Sequence, residues 1–143
     1  MLEEKKPLIS IVVPCFNEEE VLPLYIKAME DIIDRMKTAK VELIFVDDGS
    51  SDGTLELLQQ FHRRSQNFRY LAFSRNFGKE AAMYAGLQAA AGDYVAVMDA
   101  DLQDPPEYIP LWYRRGRRET TTVWPPRGRI AAGRQGYRTS CPR

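Results

Sequence analysis

Long apolar runs are missing from this chain of 143 residues: none approaches the ~20 residues a membrane-crossing helix needs, so no transmembrane segment is expected. Cysteine is scarce. Cys15 and Cys141 are too few for a disulfide framework and lack metal-ligand spacing, which fits a reducing compartment. Histidine occurs once, and His62 falls on the polar side of a helical pattern, where a surface role outweighs a catalytic one. The stretch Met1-Leu2-Glu3-Glu4-Lys5-Lys6 is charged and carries no apolar segment with a small-residue cleavage site, so a signal peptide is not expected and a cytoplasmic location is. With 44% hydrophobic and 28% charged residues, collagen-like and wholly disordered classes are excluded, and the length suits one domain with a sizeable core.

The zero net charge conceals a division. Residues 1–111 carry eleven Lys+Arg against nineteen Asp+Glu, a balance of −8, whereas residues 112–143 hold nine Arg and one acid, a balance of +8. The first stretch reads as the folded domain. The second, with Arg-rich 114–118, Pro125-Pro126 and scattered glycines, shows no core-forming face. It reads as a basic arm for nucleic acid or anionic lipid, or as a disordered or out-of-frame tail, and the abrupt change of residue usage favours the latter, with no nucleic-acid partner.

Periodicity organises residues 7–111. Leu8 to Val13 is a β-branched apolar run closed by Pro14, a strand buried on both faces. Leu22, Tyr25, Ile26, Met29, Ile32, Ile33 and Met36 then recur at helical steps, with Pro23 in the first turn and Glu18, Glu19 and Glu20 toward the positive end of the dipole. Val41 to Val46 forms a second strand, Thr54 begins a helix buried through Leu55, Leu58 and Phe61, and Phe68 to Phe73 forms a weaker third strand. An Ala-rich helix follows, then a fourth strand from Tyr94 to Met98 and a polar loop leading to a short helical turn. Repeated βα units predict an α/β fold: a parallel sheet covered by helices on both faces, with right-handed crossovers. Four loops, 14–20, 47–53, 74–79 and 99–106, each follow a strand and converge on one sheet edge, where ligands of such folds bind.

Asp99-Ala100-Asp101 carries the most chemistry. Residues two apart in extended backbone project to one side, so Asp99, Asp101 and Gln103 can present oxygens to one hard cation, Mg2+ or Mn2+, which keeps positions for water and a substrate diphosphate. The alternative is a pair of solvated turn aspartates. Asp47 and Asp48 can accept hydrogen bonds from a ribose or base, or serve turn formation through Asp48-Gly49, with Ser51 or Asp52 capping the next helix. Gly78 and Lys79, at a helix entrance, can place backbone donors and an ammonium near phosphate.

These segments, in order, resemble glycosyltransferase family 2, the inverting nucleotide-sugar transferases of GT-A fold. The resemblance rests on Val13 to Glu19, Val46 to Thr54 and Met98 to Glu107, with Phe16 where the family often has tyrosine. Arg75 to Ala82 narrows it to the polyprenyl-phosphate sugar transferases. It implies a Rossmann-like sheet of order 3-2-1-4, with Pro14, Asn17 and Glu18 near the nucleoside and Asp47 and Asp48 at base and ribose. It further implies Arg75, Gly78 and Lys79 at the substrate, Asp99, Asp101 and Gln103 at the metal, and the catalytic role on Asp101. The implied reaction moves glucose from UDP-glucose, or mannose from GDP-mannose, to a polyprenyl phosphate at the cytoplasmic face of a membrane. Family members continue with acceptor-binding strands and often with transmembrane helices, so this chain is expected to be a donor-binding amino-terminal part whose membrane association lies elsewhere. A family 2 transferase with a saccharide acceptor, and a non-catalytic nucleotide-binding module with a basic arm, are the alternatives.

Overall fold

The computed structural model describes residues 5–103 and 105–118, with side-chain surroundings through Arg115. The chain runs β1 (Leu8–Cys15), α1 (Leu22–Arg35), β2 (Lys40–Asp47), α2 (Thr54–Arg64), β3 (Phe68–Ala72), α3 (Lys79–Ala89), β4 (Tyr94–Val97) and α4 (Tyr108–Arg118). The four strands form one parallel sheet, as the βα repeat predicts, in the order β3-β2-β1-β4 that the resemblance implies. Val12 pairs in register with Ile44 on one side and Val97 on the other, so β1 is central.

Alternation along β1 divides the core. Ile9, Ile11 and Val13 point with Leu43 and Phe45 toward α1, α2 and α4, where they meet Tyr25, Ile26, Met29, Leu58, Phe61, Ile109 and Tyr113. Val12 and Ile44 point the opposite way, into a smaller cluster with Ala90 and Val95 beside α3. Helix α3 reaches this face because it is built of small residues. A Cβ on Gly86 would lie 2.2 Å from Val12 Cγ1, so any side chain there would lift the helix off the sheet.

Two features depart from expectation. Helix α4 is not a single turn: it has 11 residues and continues beyond Trp112, so the expected boundary at 111/112 falls inside it. Pro110 sits in its first turn, where its missing amide proton costs little, and Ile109 and Tyr113, four apart, are both buried. The expected tail from residue 119 onward, with Cys141, lies outside the described residues. Among those described, no helix is long and apolar enough to cross a membrane. His62 serves structure, its Nδ1 donating to the Phe68 carbonyl at 2.7 Å and its ring meeting Tyr70 edge-on.

The second departure is a buried polar network at the opposite edge of the sheet from the acidic loops. Glu42 of β2 is 8% exposed, and its Oε1 accepts from the Ser10 hydroxyl at 2.6 Å and the Ala91 amide at 3.0 Å. Arg69 donates to Oε2 at 3.2 Å and also to the Ala89 carbonyl, while the Gly92 amide donates to Ser10 Oγ. These bonds tie the α3–β4 connection to three strands. Glu42→Ala would strand a buried hydroxyl and amide, and should lower the unfolding free energy in urea by about 2–3 kcal/mol. The Arg69 pair adds little to that figure because the arginine side chain is substantially exposed.

Candidate active site

The loops beyond the carboxyl ends of the strands are bound to one another by side chains that the sequence offers as ligand contacts. Asn17, after β1, adopts φ 52°, which asparagine tolerates better than most residues. Its amide donates to Ser50 Oγ at 2.9 Å, and its Oδ1 accepts from the Ser51 amide at 2.8 Å. The Glu18 amide donates to Thr54 Oγ1 at 2.9 Å. Glu19 accepts from the Gly53 amide at 2.7 Å, so this carboxylate serves the amino terminus of α2, although its place in the chain suggested α1. Asp52 Oδ1 accepts from the Thr54 amide at 3.0 Å and so stabilises the same helix start.

Asp48 makes the next connection. It is 4% exposed, and its two oxygens accept from the amides of Phe77 at 2.7 Å and Gly78 at 3.1 Å, fixing the β3–α3 loop. Gly49 lies beneath that loop with φ 71°. Asp47, 2% exposed, turns inward and accepts from the Ser50 amide at 3.2 Å, the turn-forming alternative for this residue. Arg75 lies over the Phe77 ring, its guanidinium carbon 4.1 Å from the centroid.

These connections leave a cleft of about 170 Å³ lined by Pro14, Cys15 and Phe16 from the end of β1, Glu18, Asp48, Lys79 and Ala82 of α3, and the run Asp99 to Asp101 after β4. Six of the residues expected at the site therefore share one cavity: Pro14, Glu18, Asp48, Lys79, Asp99 and Asp101. Asn17, Asp47, Arg75, Gly78 and Gln103 stand outside its lining. Gln103 contributes through its backbone, its amide donating to Asp101 Oδ1 at 3.0 Å across Leu102, which takes φ 62°. A leucine in this left-handed region is unusual, and the loop closed by Asp101 maintains it.

The electrostatics are lopsided, with four carboxylates facing the cavity against the single ammonium of Lys79. Lys79 Nζ lies 2.6 Å from one oxygen of Asp99 and 2.8 Å from the other. Burial raises the Glu18 carboxyl above its usual range, and the charges of Asp101, Asp52 and Asp99 add to the rise. The Cys15 thiol is raised well above its ordinary value by burial, then by Glu18 and Asp47, so it lines the cavity as a protonated, unreactive group. Sequence reading passed over Cys15, Phe16 and Ala82. Their only signal was membership of the segments Val13 to Glu19 and Arg75 to Ala82.

A raised acid ionises more readily in the unfolded chain, so ionised Glu18 opposes folding. That penalty is absent below the unfolded-state pKa of about 4.3 and grows as pH rises through the higher folded-state value. Glu18→Gln should therefore raise the thermal midpoint at pH 7 and lose this advantage near pH 4. Melting curves at both pH values check it.

Acidic and cationic groups gather where parallel strands end, beside a helix entrance, the place where open α/β domains take their ligands. The chain belongs to glycosyl transferase family 2, whose family model matches residues 10–140. The prophage bactoprenol glucosyl transferase homolog of Escherichia coli is 44% identical over 102 residues, covering 71% of this chain and 33% of its own length. An undecaprenyl-phosphate 4-deoxy-4-formamido-L-arabinose transferase of Pseudomonas savastanoi is 42% identical over 103 residues, 71% of this chain and 30% of its own. The crystal structure of glucosyl-3-phosphoglycerate synthase from Mycobacterium tuberculosis, in complex with Mn2+, UDP and glucosyl-3-phosphoglycerate, matches with a TM-score of 0.58. The identity is 26%, over 76% of this chain and 39% of that one. The chain thus spans about a third of the length of the curated relatives it matches.

Proposed function

We propose that this domain binds a nucleotide diphosphate sugar and serves the metal-dependent, inverting transfer of that sugar to a polyprenyl phosphate. The observation that carries the reading is the meeting of Glu18, Asp48, Lys79, Asp99 and Asp101 in one cavity beyond the strand ends. Glucose from UDP is the first choice of donor and mannose from GDP the second; the name of the bactoprenol glucosyl transferase relative supports glucose. The names of both relatives support the lipid phosphate acceptor.

The donor set fits Mg2+ or Mn2+. It consists of carboxylate oxygens, the ligands hard cations prefer, and the Glu18 carboxyl beside them is raised first by burial and then by the charges of Asp101, Asp52 and Asp99. Among the described residues no three His, Cys, Asp or Glu side chains group closely enough to form an all-protein cage. Asp99 and Asp101 would hold the ion, leaving positions for water and diphosphate oxygens. When bound, the cation would offset charge growing on the departing nucleoside diphosphate.

The chain's own groups account for the rest. Asp101, held through Oδ1 by the Gln103 amide, lines the cavity. Lys79, at the amino terminus of α3, adds positive charge beside the diphosphate path. Asp48 orders the β3–α3 loop that forms one wall. A phosphate acceptor is an anion at neutral pH, with a second pKa near ~6, so the reaction needs no strong general base.

The cavity is smaller than the roughly 300–1,000 Å³ that buries most of a small ligand. The isolated chain is therefore expected to bind donor without turning it over. Calorimetric titration of UDP-glucose and GDP-mannose, with and without Mn2+, tests the reading: binding should require the ion and favour UDP-glucose. Equal affinity with and without Mn2+, or no binding in its presence, would overturn it.

A further inference from the structure

We propose that Lys79 is an exchangeable counter-ion: it occupies Asp99 while the site is empty, and moves to the donor's diphosphate when a divalent cation takes its place on the carboxylate. The inference rests on the donor-site reading and concerns how that site loads.

Three observations carry it. Lys79 Nζ covers both oxygens of Asp99, at 2.6 and 2.8 Å, so a divalent ion cannot use that carboxylate in the same way while the ammonium remains there. Lys79 is also the sole cation lining the cavity, so no second positive side chain among the lining residues replaces it when it leaves. Its side chain is 59% exposed and that of Asp99 39%, so the pair is accessible to solvent and held by little besides its own attraction. The ammonium springs from the first residue of α3, directly after the Gly78 amide anchored by Asp48. Once released it therefore stays near a helix amino terminus, beside the oxygens of a bound diphosphate.

The two sites of exchange are thermodynamically linked. Metal alone must displace the lysine from its carboxylate without providing it a new partner, whereas metal with diphosphate provides one. Each ligand should then strengthen the other, in the usual range of about 5- to 150-fold.

The full chain should be titrated with Mn2+ alone, followed by electron paramagnetic resonance of the free ion, and with UDP at saturating Mn2+, in wild type, Lys79→Met and Lys79→Arg. Lys79→Met should bind Mn2+ alone about 5-fold more tightly and UDP with Mn2+ about 5-fold more weakly. Lys79→Arg should retain the wild-type order. The opposed signs exclude a general structural defect, which would weaken both ligands. If Lys79→Met binds Mn2+ with unchanged or lower affinity while wild type still binds UDP with Mn2+, the exchange is wrong and the donor site stands. If wild type binds neither ligand, both fall.

Discussion

Asp101→Asn should lower the Mn2+-supported affinity for UDP-glucose by roughly 100-fold while leaving the thermal midpoint nearly unchanged. The amide oxygen of asparagine still accepts from the Gln103 amide, so the 3.0 Å bond that closes the loop persists and Leu102 retains its conformation. What is lost is one negative charge and one hard ligand. Asp99→Asn should cause a similar loss, and here Lys79 also loses its ionic partner. Without metal the effect should reverse: an anionic nucleotide entering a cavity of four carboxylates is repelled, and removing one charge relieves part of that repulsion. Calorimetry of each variant with and without Mn2+ reads both directions. If either variant retains wild-type metal-supported binding, that carboxylate does not hold the ion.

Much of this arrangement was legible from periodicity and order. The parallel sheet follows from the βα repeat and its strand order from the family resemblance, and the gathering of the four loops follows from the polarity of a parallel sheet, because every acidic or glycine-bearing segment comes after a strand. Individual roles within the loops were less legible. Asp47 and Asp48 are adjacent and chemically alike, yet Asp47 folds back to the Ser50 amide while Asp48 reaches Phe77 and Gly78 in another loop. That difference depends on tertiary proximity across 29 residues, which no local pattern encodes. Glu19 was misread for the same reason, since its partner is the Gly53 amide and not the helix it precedes.

Other features were hidden by composition. Glu42 lies in an apolar strand with no motif around it, and its value comes from Ser10, Arg69 and Ala91, which only the sheet register and the end of α3 bring together. Helix α4 was obscured by arginine. Its buried positions, Ile109 and Tyr113, are too few to form a visible stripe beside Pro110 and the basic run, and Tyr94 completes their packing from β4 with an edge-on ring contact at 5.4 Å.

Gly49→Ala should destabilise the fold by about 3 kcal/mol and loosen the site, although it adds only one methyl group. Two costs combine. At φ 71° an alanine is held in the left-handed region, which costs about 1–2 kcal/mol. Its Cβ would also fall 2.3 Å from the Arg75 carbonyl carbon and 2.4 Å from the Asn76 nitrogen, backbone atoms that cannot rotate aside. Relief requires the β2–α2 and β3–α3 loops to separate, and that movement would stretch the Asp48 bonds to the amides of Phe77 and Gly78. Gly78 supplies the control: its φ is 100°, but an added Cβ meets nothing within 4 Å, so Gly78→Ala should incur conformational strain alone. Asparagine isolates the steric cost at Gly49, because it tolerates the left-handed region better than alanine while keeping the Cβ. Gly49→Asn should remain strongly destabilised, because asparagine keeps the clashing Cβ. Urea unfolding measures the stabilities, and amide hydrogen exchange at Phe77 and Gly78 should accelerate in the Gly49 variants. Unchanged amide exchange at Phe77 and Gly78 in Gly49→Ala would mean that the loops are not held in contact.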